Sequence, residues 1–363
     1  MFKNTCTLIL LTLLFVGELS AQEVRKYSNE FLSLGVGARA LAMGNAQNAS
    51  VNDVTSGYWN PAGLAQIENI QVGAMHSEWF AGIAKYDYAS IALPISDGKR
   101  ALGISAIRFG VDDIPNTLFI IEPDGSINYN NVTTFSAADY AFLLTYAQKI
   151  NKLNVGANIK VIHRSVGTFA KSWGFGLDIG AQLAVSKNFN IGLTVKDLTT
   201  TINAWSFDFT QEEKEMLALT DNVIPSSSVE LTGQRVVLGG AYNFNFSEKL
   251  ALLAEANLDF TFDGKRNVLV KSDFMSIDPH FGLELGFAKS IFLRGGINNI
   301  QEFTDDLTGE ILTSTQPNAG IGIKIRELQI DYAFTGFNRV DDGVYSHIFS
   351  LVFNFNEKGT AKL

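Results

Sequence analysis

The sequence predicts an all-β protein: a 14-stranded antiparallel transmembrane outer-membrane β-barrel with a small N-terminal plug containing a short helix. Three observations carry this prediction. Apolar and polar residues alternate with period two over segments of about ten residues, repeatedly along the chain. The connections between those segments sort into a short set and a long set. An export signal opens the chain.

The signal is Met1–Ala21, with basic Lys3, the apolar run "TLILLTLLFVG" and the small-residue end "LSAQ". The run is too short for a spanning helix, so cleavage after Ala21 is expected. The single cysteine, Cys6, lies in this signal ahead of its apolar core, so it is not a lipoprotein cysteine. The expected mature chain then has no thiol, disulfide or cysteine metal ligand, and a closed sheet is one device able to stabilise it. The expected organisation is residues 1–21 signal peptide, 22–66 plug or hatch, and 67–363 barrel.

Residues 29–54, "NEFLSLGVGARALAMGNAQNASVNDV", mix small residues with a helical pattern in which Leu34, Ala38, Leu41 and Ala42 share a face. Gly35, Gly37 and Gly44 limit this to one short helix with loops. "GYWNPAGLAQ" (57–66) follows, and its Pro61 fixes φ and restricts Asn60 before it. Asn60-Pro61-Ala62 is expected to be a stiff hinge between plug and wall that fixes residues 28–56 inside the lumen.

From residue 70 the alternation takes over. Phe189, Ile191, Leu193 and Val195 oppose Asn190, Gly192, Thr194 and Lys196. Leu250, Leu252, Ala254, Ala256, Leu258 and Phe260 oppose Glu255, Asn257 and Asp259. Phe349, Leu351, Phe353 and Phe355 oppose Ser350, Val352, Asn354 and Asn356. Fourteen strands are expected: 70–78, 85–94, 100–111, 136–148, 152–164, 173–185, 188–197, 234–246, 249–261, 279–289, 290–299, 316–326, 327–336 and 345–356. Their connections alternate between short turns such as "SDGK" (96–99) and "KINK" (149–152) and the longer loops 112–135, 199–233, 262–278, 300–315 and 337–344. Short periplasmic turns alternating with long extracellular loops suit an outer-membrane barrel. An even strand number puts both barrel ends on the periplasmic side.

A soluble β-sandwich would also alternate, but its connections need not sort by length. Opposite the apolar rows stand Lys160, Arg164, Asp178, Lys196, Glu255, Asp259, Glu284, Arg294, Lys324 and Asp331. In a barrel these line the lumen while the apolar rows meet outer-membrane lipid. Five are basic and five acidic, which favours ion-paired packing over an ion-selective channel.

The chemistry of an enzyme is missing from the pattern. His76, His163, His280 and His347 are scattered, without metal-ligand spacing, and no G-x-S-x-G elbow occurs. The glycines of "GFGLDIG" (174–180) alternate with Phe175, Leu177 and Ile179, as lumen-facing positions of a strand would. Acidic pairs Asp112–Asp113, Asp305–Asp306 and Asp341–Asp342 fall in the expected outer loops and read as solvated turns. No cofactor and no metal are expected. A net charge of −9 disfavours nucleic acid as a partner. In the loop 199–233, Thr210 and Glu213 have capping-box spacing, which would turn Met216 and Leu217 toward the barrel mouth or a partner.

"FLSLGVGARALAMGNAQNASVNDVTSGYWNPAGLAQI", with its small-residue helix, "ARALAMG" and "WNPAGL", resembles the N-terminal region of the PorV/PorQ family. These are outer-membrane proteins of the Bacteroidetes type, related to the FadL hydrophobic-compound transporters. The resemblance covers about residues 28–66 and implies that Gly35, Gly37, Arg39, Gly44, Trp59, Asn60, Pro61, Ala62 and Gly63 form a plug or hatch motif. It implies a non-enzymatic barrel in the cell outer membrane, associated with the type IX secretion system. Such a barrel would bind secretion subunits or cargo C-terminal domains through its extracellular loops. The alternative it implies is a FadL-like transporter for fatty acids or other hydrophobic compounds, which pass a lateral opening controlled by the plug.

Overall fold

Alternation of side chains across a strand gives a two-faced ribbon, and an apolar outer face opposite a polar inner face is satisfied by closing the sheet on itself. A computed structural model describes residues 28–95, 98–122, 124–219, 223–225, 227–304, 309–336 and 345–355. The expected signal peptide, the pairs Asp305–Asp306 and Asp341–Asp342, and the whole of the expected loop 337–344 lie outside the described residues.

The strands are β1 (Ile70–Trp79), β2 (Ala84–Ile95), β3 (Arg100–Asn116), β4 (Thr133–Ile150), β5 (Leu153–Val166) and β6 (Ala170–Ala184). Then come β7 (Phe189–Lys196), β8 (Thr201–Phe207), β9 (Ser227–Thr232), β10 (Arg235–Asn245), β11 (Leu250–Thr261) and β12 (Val270–Lys271). The last are β13 (Ser276–Phe287), β14 (Ile291–Thr304), β15 (Ile311–Ile325), β16 (Leu328–Thr335) and β17 (Ser346–Phe355). Strands β1 to β7, β10, β11 and β13 to β17 pair in sequence as a closed antiparallel ring of fourteen. Ile70 opposite Phe355 and Val72 opposite Phe353 close it, so the first and last strands meet at the short-turn end.

All fourteen expected strands are present, several of them longer than expected on the long-loop side. The structure corrects the expected loops there. Strand β3 runs to Asn116 and β4 begins at Thr133, while β14 runs to Thr304 and β15 begins at Ile311. The described residues of 199–233 include β8, a helix over Gln211–Leu219, and β9. Strand β8 extends the line of β7 along β6, with register Ile179–Val195 below and Phe175–Ile202 above. Strand β9 likewise leads into β10. Two neighbouring wall strands are therefore interrupted at one level, at residues 197–200 and 233–234. Asp197 and Thr200 take φ of 56° and 60° there, the left-handed backbone of a tight bulge.

The outer face carries exposed Ile159, Phe175, Leu283 and Leu293. Two bands of outward aromatic rings bound this apolar surface. Phe189, Tyr242, Phe244, Phe353 and Phe355 cluster toward the short turns. His163 with Trp173, and Tyr332 with His347 and Phe349, lie toward the long loops. Such girdles mark the two interfaces of a bilayer.

The N-terminal residues 28–67 lie inside the ring. This inner segment contains helix α1 (Ala38–Ala42), helix α2 (Ser56–Trp59) and a 3₁₀ turn over Pro61–Gln66. Val36, Ala38, Ala40, Ala42 and Met43 are fully buried. Small side chains let the segment press against wall backbone. A β-carbon on Gly156 would stand 2.4 Å from the Pro61 carbonyl carbon, and one on Gly296 only 2.2 Å from that of Met43.

Candidate functional site

A segment with little regular structure must find partners for its backbone polar groups, and inside a barrel the wall has to supply them. It does so through inward polar side chains. Ser350 Oγ accepts from the Ala38 N–H at 3.1 Å, and Glu255 Oε1 from the Ala49 N–H at 2.7 Å. Asn158 Nδ2 donates to the Gly57 carbonyl at 2.6 Å. Gln182 Nε2 donates to the carbonyls of Asn48 and Val51, at 3.1 and 3.0 Å.

The "WNP" stretch is the centre of this arrangement. Asn60 is fully buried with φ −153° and ψ 108°, the extended backbone that a following proline imposes. Its Oδ1 accepts from the Ala62 N–H at 3.1 Å, opening the 3₁₀ turn with Pro61 in first position. Its Nδ2 donates to Asn48 O at 3.0 Å and to Ala181 O of the wall at 3.1 Å. The stretch is thus fastened deep within the lumen against β5 and β6. The turn expected between segment and wall is held on both sides, by Asn48 and by Ala181, and the chain leaves it for β1 only after Ile67. Gly63 is buried under Val51 O, where a β-carbon would come within 2.4 Å.

Trp59 Nε1 donates to Val36 O at 2.9 Å, and the Tyr58 hydroxyl donates to Leu32 O while accepting from Gly35 N at 3.1 Å. Burial raises the Tyr58 phenol well above its ordinary value, against the opposing pull of Arg235 and the Gly35 N–H. Gly35, Gly37 and Gly44 all have positive φ. Gly37 N reaches Met75 Sδ at 3.0 Å, and Gly44 O meets His280 Nδ1 at 3.0 Å.

Charged groups tie the segment in. Arg39 Nε and Nη2 donate to Glu284 Oε2 and Oε1 at 2.8 and 3.0 Å. Burial opposes the Arg39 charge, but the Glu284 carboxylate overrides it and raises the guanidinium above its ordinary value. Arg294 joins the cluster, donating to Glu284 Oε2 and to Asp331 Oδ1, both at 2.6 Å. Lys160 bonds Asp178 at 3.0 Å and Asp197 at 2.5 Å. Arg164 bonds Asp139 at 3.0 Å and Glu230 at 3.4 Å. Asp259 stands 3.8 Å from Arg235. Lys196 points inward over the Tyr58 ring, 4.4 Å from its centroid. Lys324 is exposed, near the short-turn rim. Met216 and Leu217 are half-buried on the outer helix α3 (Gln211–Leu219). Its start carries the reciprocal bonds Thr210 N to Glu213 Oε2, 2.7 Å, and Glu213 N to Thr210 Oγ1, 3.2 Å.

The partners Asp139, Asp197, Arg235, Gln182 and Asn158 escaped the sequence reading. Gln182 and Asn158 share the inward parity of the charges beside them, so alternation alone could have found them. Asp197 lies in a bulge, where parity fails.

Two further features complete the lumen on the long-loop side. One is a cavity of about 360 Å³ above Tyr58 and Trp59, lined mainly by amide and charged side chains. The other is a row of rings at the mouth. Strand β8 buries Thr201 and Asn203 inward, so Trp205 and Phe207 continue the inner face. Trp205, Phe207, Phe209 and Phe169 follow one another at 6.4, 6.4 and 6.0 Å between centroids, and Phe135 meets Phe169 edge-on at 5.3 Å. Arg164 caps Trp205 at 5.1 Å.

The model of the uncharacterised protein family UPF0164 matches residues 18–247. The chain belongs to the UPF0164 family. No curated protein matches it. Among solved structures, this UPF0164 chain is similar to the CymD monoaromatic hydrocarbon channel, with a TM-score of 0.55 at 15% identity over 89% of this chain and 98% of that one. The Ralstonia pickettii toluene transporter TbuX is similar with a TM-score of 0.53 at 13% identity, over 89% and 99% of the two chains. A Pseudomonas aeruginosa FadL homologue gives 0.54 at 11% identity, over 88% and 98%. The shared property is the fold, a closed antiparallel β-barrel.

Proposed function

We propose that this UPF0164 chain is an outer-membrane barrel that admits small hydrophobic compounds, with residues 28–67 as its plug. The observation that carries the reading is the inward aromatic row from Trp205 to Phe135 at the mouth, beside the paired strand interruptions at 197–200 and 233–234. Stacked rings give an apolar landing surface at the aqueous end of a barrel whose deeper lumen is polar and filled. The first described plug residues stand behind the interruptions: Asn29 Nδ2 bonds Thr232 Oγ1 at 2.8 Å, and Arg235 reaches Ser33 Oγ at 3.3 Å. A compound leaving the aromatic row sideways would avoid the ion-paired centre. That the similar structures are hydrocarbon channels and transporters supports this reading.

The test is uptake of a ring hydrocarbon by cells expressing the protein. Expression should raise uptake, and Trp205→Ala with Phe207→Ala should cut the gain about tenfold while the barrel still assembles. Uptake indifferent to expression would sink the proposal.

A second reading, a protein-docking barrel of the type IX secretion system, rests on the PorV/PorQ resemblance of residues 28–66. It also draws on apolar side chains exposed at the outer loops, Tyr129 and Phe274 each at 74%. Gentle purification that recovers neither cargo domains nor secretion subunits would count against it.

A further inference from the structure

The cavity over Tyr58 and Trp59 is built for something other than a hydrocarbon. On β14 strict alternation places Arg294, Gly296 and Asn298 inward and would send Asn299 out. A register slip between Asn298 and Gln301, with Asn299 at φ 51°, breaks the alternation. Asn298, Asn299 and Gln301 all line the cavity as a result. Bulges re-aim side chains in this way next to functional sites.

The re-aimed amides form a connected series. Asn267 Nδ2 donates to Gln301 Oε1 at 3.4 Å, and Gln301 Nε2 to Asn299 Oδ1 at 2.5 Å. Asn299 Nδ2 reaches Gln316 Oε1, and Gln316 Nε2 reaches Asn318 Oδ1, each at 3.5 Å. Asn318 Nδ2 donates to Asn298 Oδ1 at 2.8 Å. The long members of the series leave donors and acceptors underused. Asn45 Oδ1 and Asp278 Oδ1, on two other walls, are buried with no hydrogen-bond partner. Trp59 and Trp79 supply flat apolar walls.

Charge selects the ligand further. Arg235 faces Asp259 at 3.8 Å, Arg266 faces Glu30 at 3.3 Å, and His280 faces Asp278 at 3.6 Å. Lys196 is spread over the Tyr58 ring. Counting formal charges with His neutral, Lys196, Arg235 and Arg266 stand against Glu30, Asp259 and Asp278 around one cavity, so neither an anion nor a cation is favoured by the sum.

We propose that this cavity is a binding site for a small neutral polyhydroxylated solute of the sugar class. A hydroxyl is both donor and acceptor, as an amide side chain is, so a polyol can pair with the amide series at several points. The C–H faces of a sugar ring fit against tryptophan. A hydrocarbon would leave Asn45 Oδ1, Asp278 Oδ1 and the remaining donors and acceptors of the series without a partner, which is the costly outcome. The volume of about 360 Å³ lies at the small end of the ~300–1,000 Å³ usual for ligand sites. The inference is independent of the transport proposal.

The test is tryptophan fluorescence of the full protein in a zwitterionic detergent without sugar headgroups. Neutral mono- and disaccharides are titrated, with octanoate and inorganic phosphate as parallel arms. A saturable change with at least one neutral sugar is expected, weakened about tenfold by Asn299→Gly, which keeps the positive φ, and by Gln316→Ala. Both variants should melt as the parent does. No saturation with any sugar, saturation unmoved by both variants, or tighter binding of octanoate or phosphate overturns the proposal. Hydrocarbon uptake is a separate readout, so either reading can fail alone.

Discussion

Arg39 and Glu284 meet through two parallel hydrogen bonds, Nε to Oε2 at 2.8 Å and Nη2 to Oε1 at 3.0 Å, although 245 positions separate them in the chain. The pair joins the inner segment to β13, and Arg294 and Asp331 extend the network to β14 and β16. Without Arg39 the Glu284 carboxylate keeps Arg294, so what is lost is the pair of hydrogen bonds to a charged group, worth ~1.5–3 kcal/mol, and not the larger penalty of an uncompensated buried charge. Arg39→Ala should therefore raise transient release of residues 28–67 by about tenfold to a hundredfold. The expected readout is faster proteolysis within that segment, with the heat-resistant electrophoretic mobility of the closed barrel retained. Cleavage at the parental rate would contradict the lock.

The glycine contacts predict a matched pair of variants. Gly296→Ala would push a β-carbon to 2.2 Å from the Met43 carbonyl carbon, against backbone that cannot swing away. Gly240→Ala, on the outer face, meets nothing nearer than a Phe189 ring atom at 3.6 Å. The first should cost ~1–3 kcal/mol as overpacking. The second should be near neutral. Chemical-denaturant melts of the two, compared with the parent, decide it.

Asn60 makes three hydrogen bonds where Pro61 makes none through its side chain. Asn60→Ala takes the acceptor from the buried Ala62 N–H and a donor from Ala181 O, while Asn48 O keeps Gln182; a buried group left unsatisfied costs ~1–3 kcal/mol. Pro61→Ala relaxes only the preset φ, worth ~0.4–1 kcal/mol. Loosening of the inner segment should thus rank Asn60→Ala above Pro61→Ala, with both barrels assembled. Hydrogen exchange across residues 56–67 measures the order.

The Tyr58 phenol gives a pH signature. Its value is raised in the folded state by burial, so the neutral form is the one that packs. A raised value contributes stability present in full below ~10, the ordinary tyrosine value, and lost as pH climbs above it. The inner segment should become protease-sensitive above about pH 10. Tyr58→Phe should remove that pH dependence while losing the bonds to Leu32 and Gly35. An alkaline profile identical in parent and variant would point to another group.

Strands were the most legible feature because lipid and lumen impose opposite demands on successive residues. That rule marked β11 and β17 from their Leu and Phe rows. It gave out in β8, where Trp205 and Phe207 face inward and Ala204 and Ser206 face out. Beyond the bilayer no lipid enforces the apolar outer face, so "TINAWSF" reads as loop. It failed again at Asn299 and Asp197, because a bulge changes parity without changing composition.

By itself, then, the sequence determined the strand count, the two faces of each strand and the presence of a stiff Asn-Pro turn, since each depends on neighbours a few positions away. Only the tertiary structure decided that this turn is an anchor against Ala181, that Arg39 meets Glu284, and that the six amides of the connected series line one cavity. The first two depend on the path of residues 28–67 through the closed ring, which brings Asn60 to a carbonyl 121 positions away and Arg39 to a carboxylate 245 positions away; the third depends on the bulge in β14, which re-aims side chains without a mark in composition.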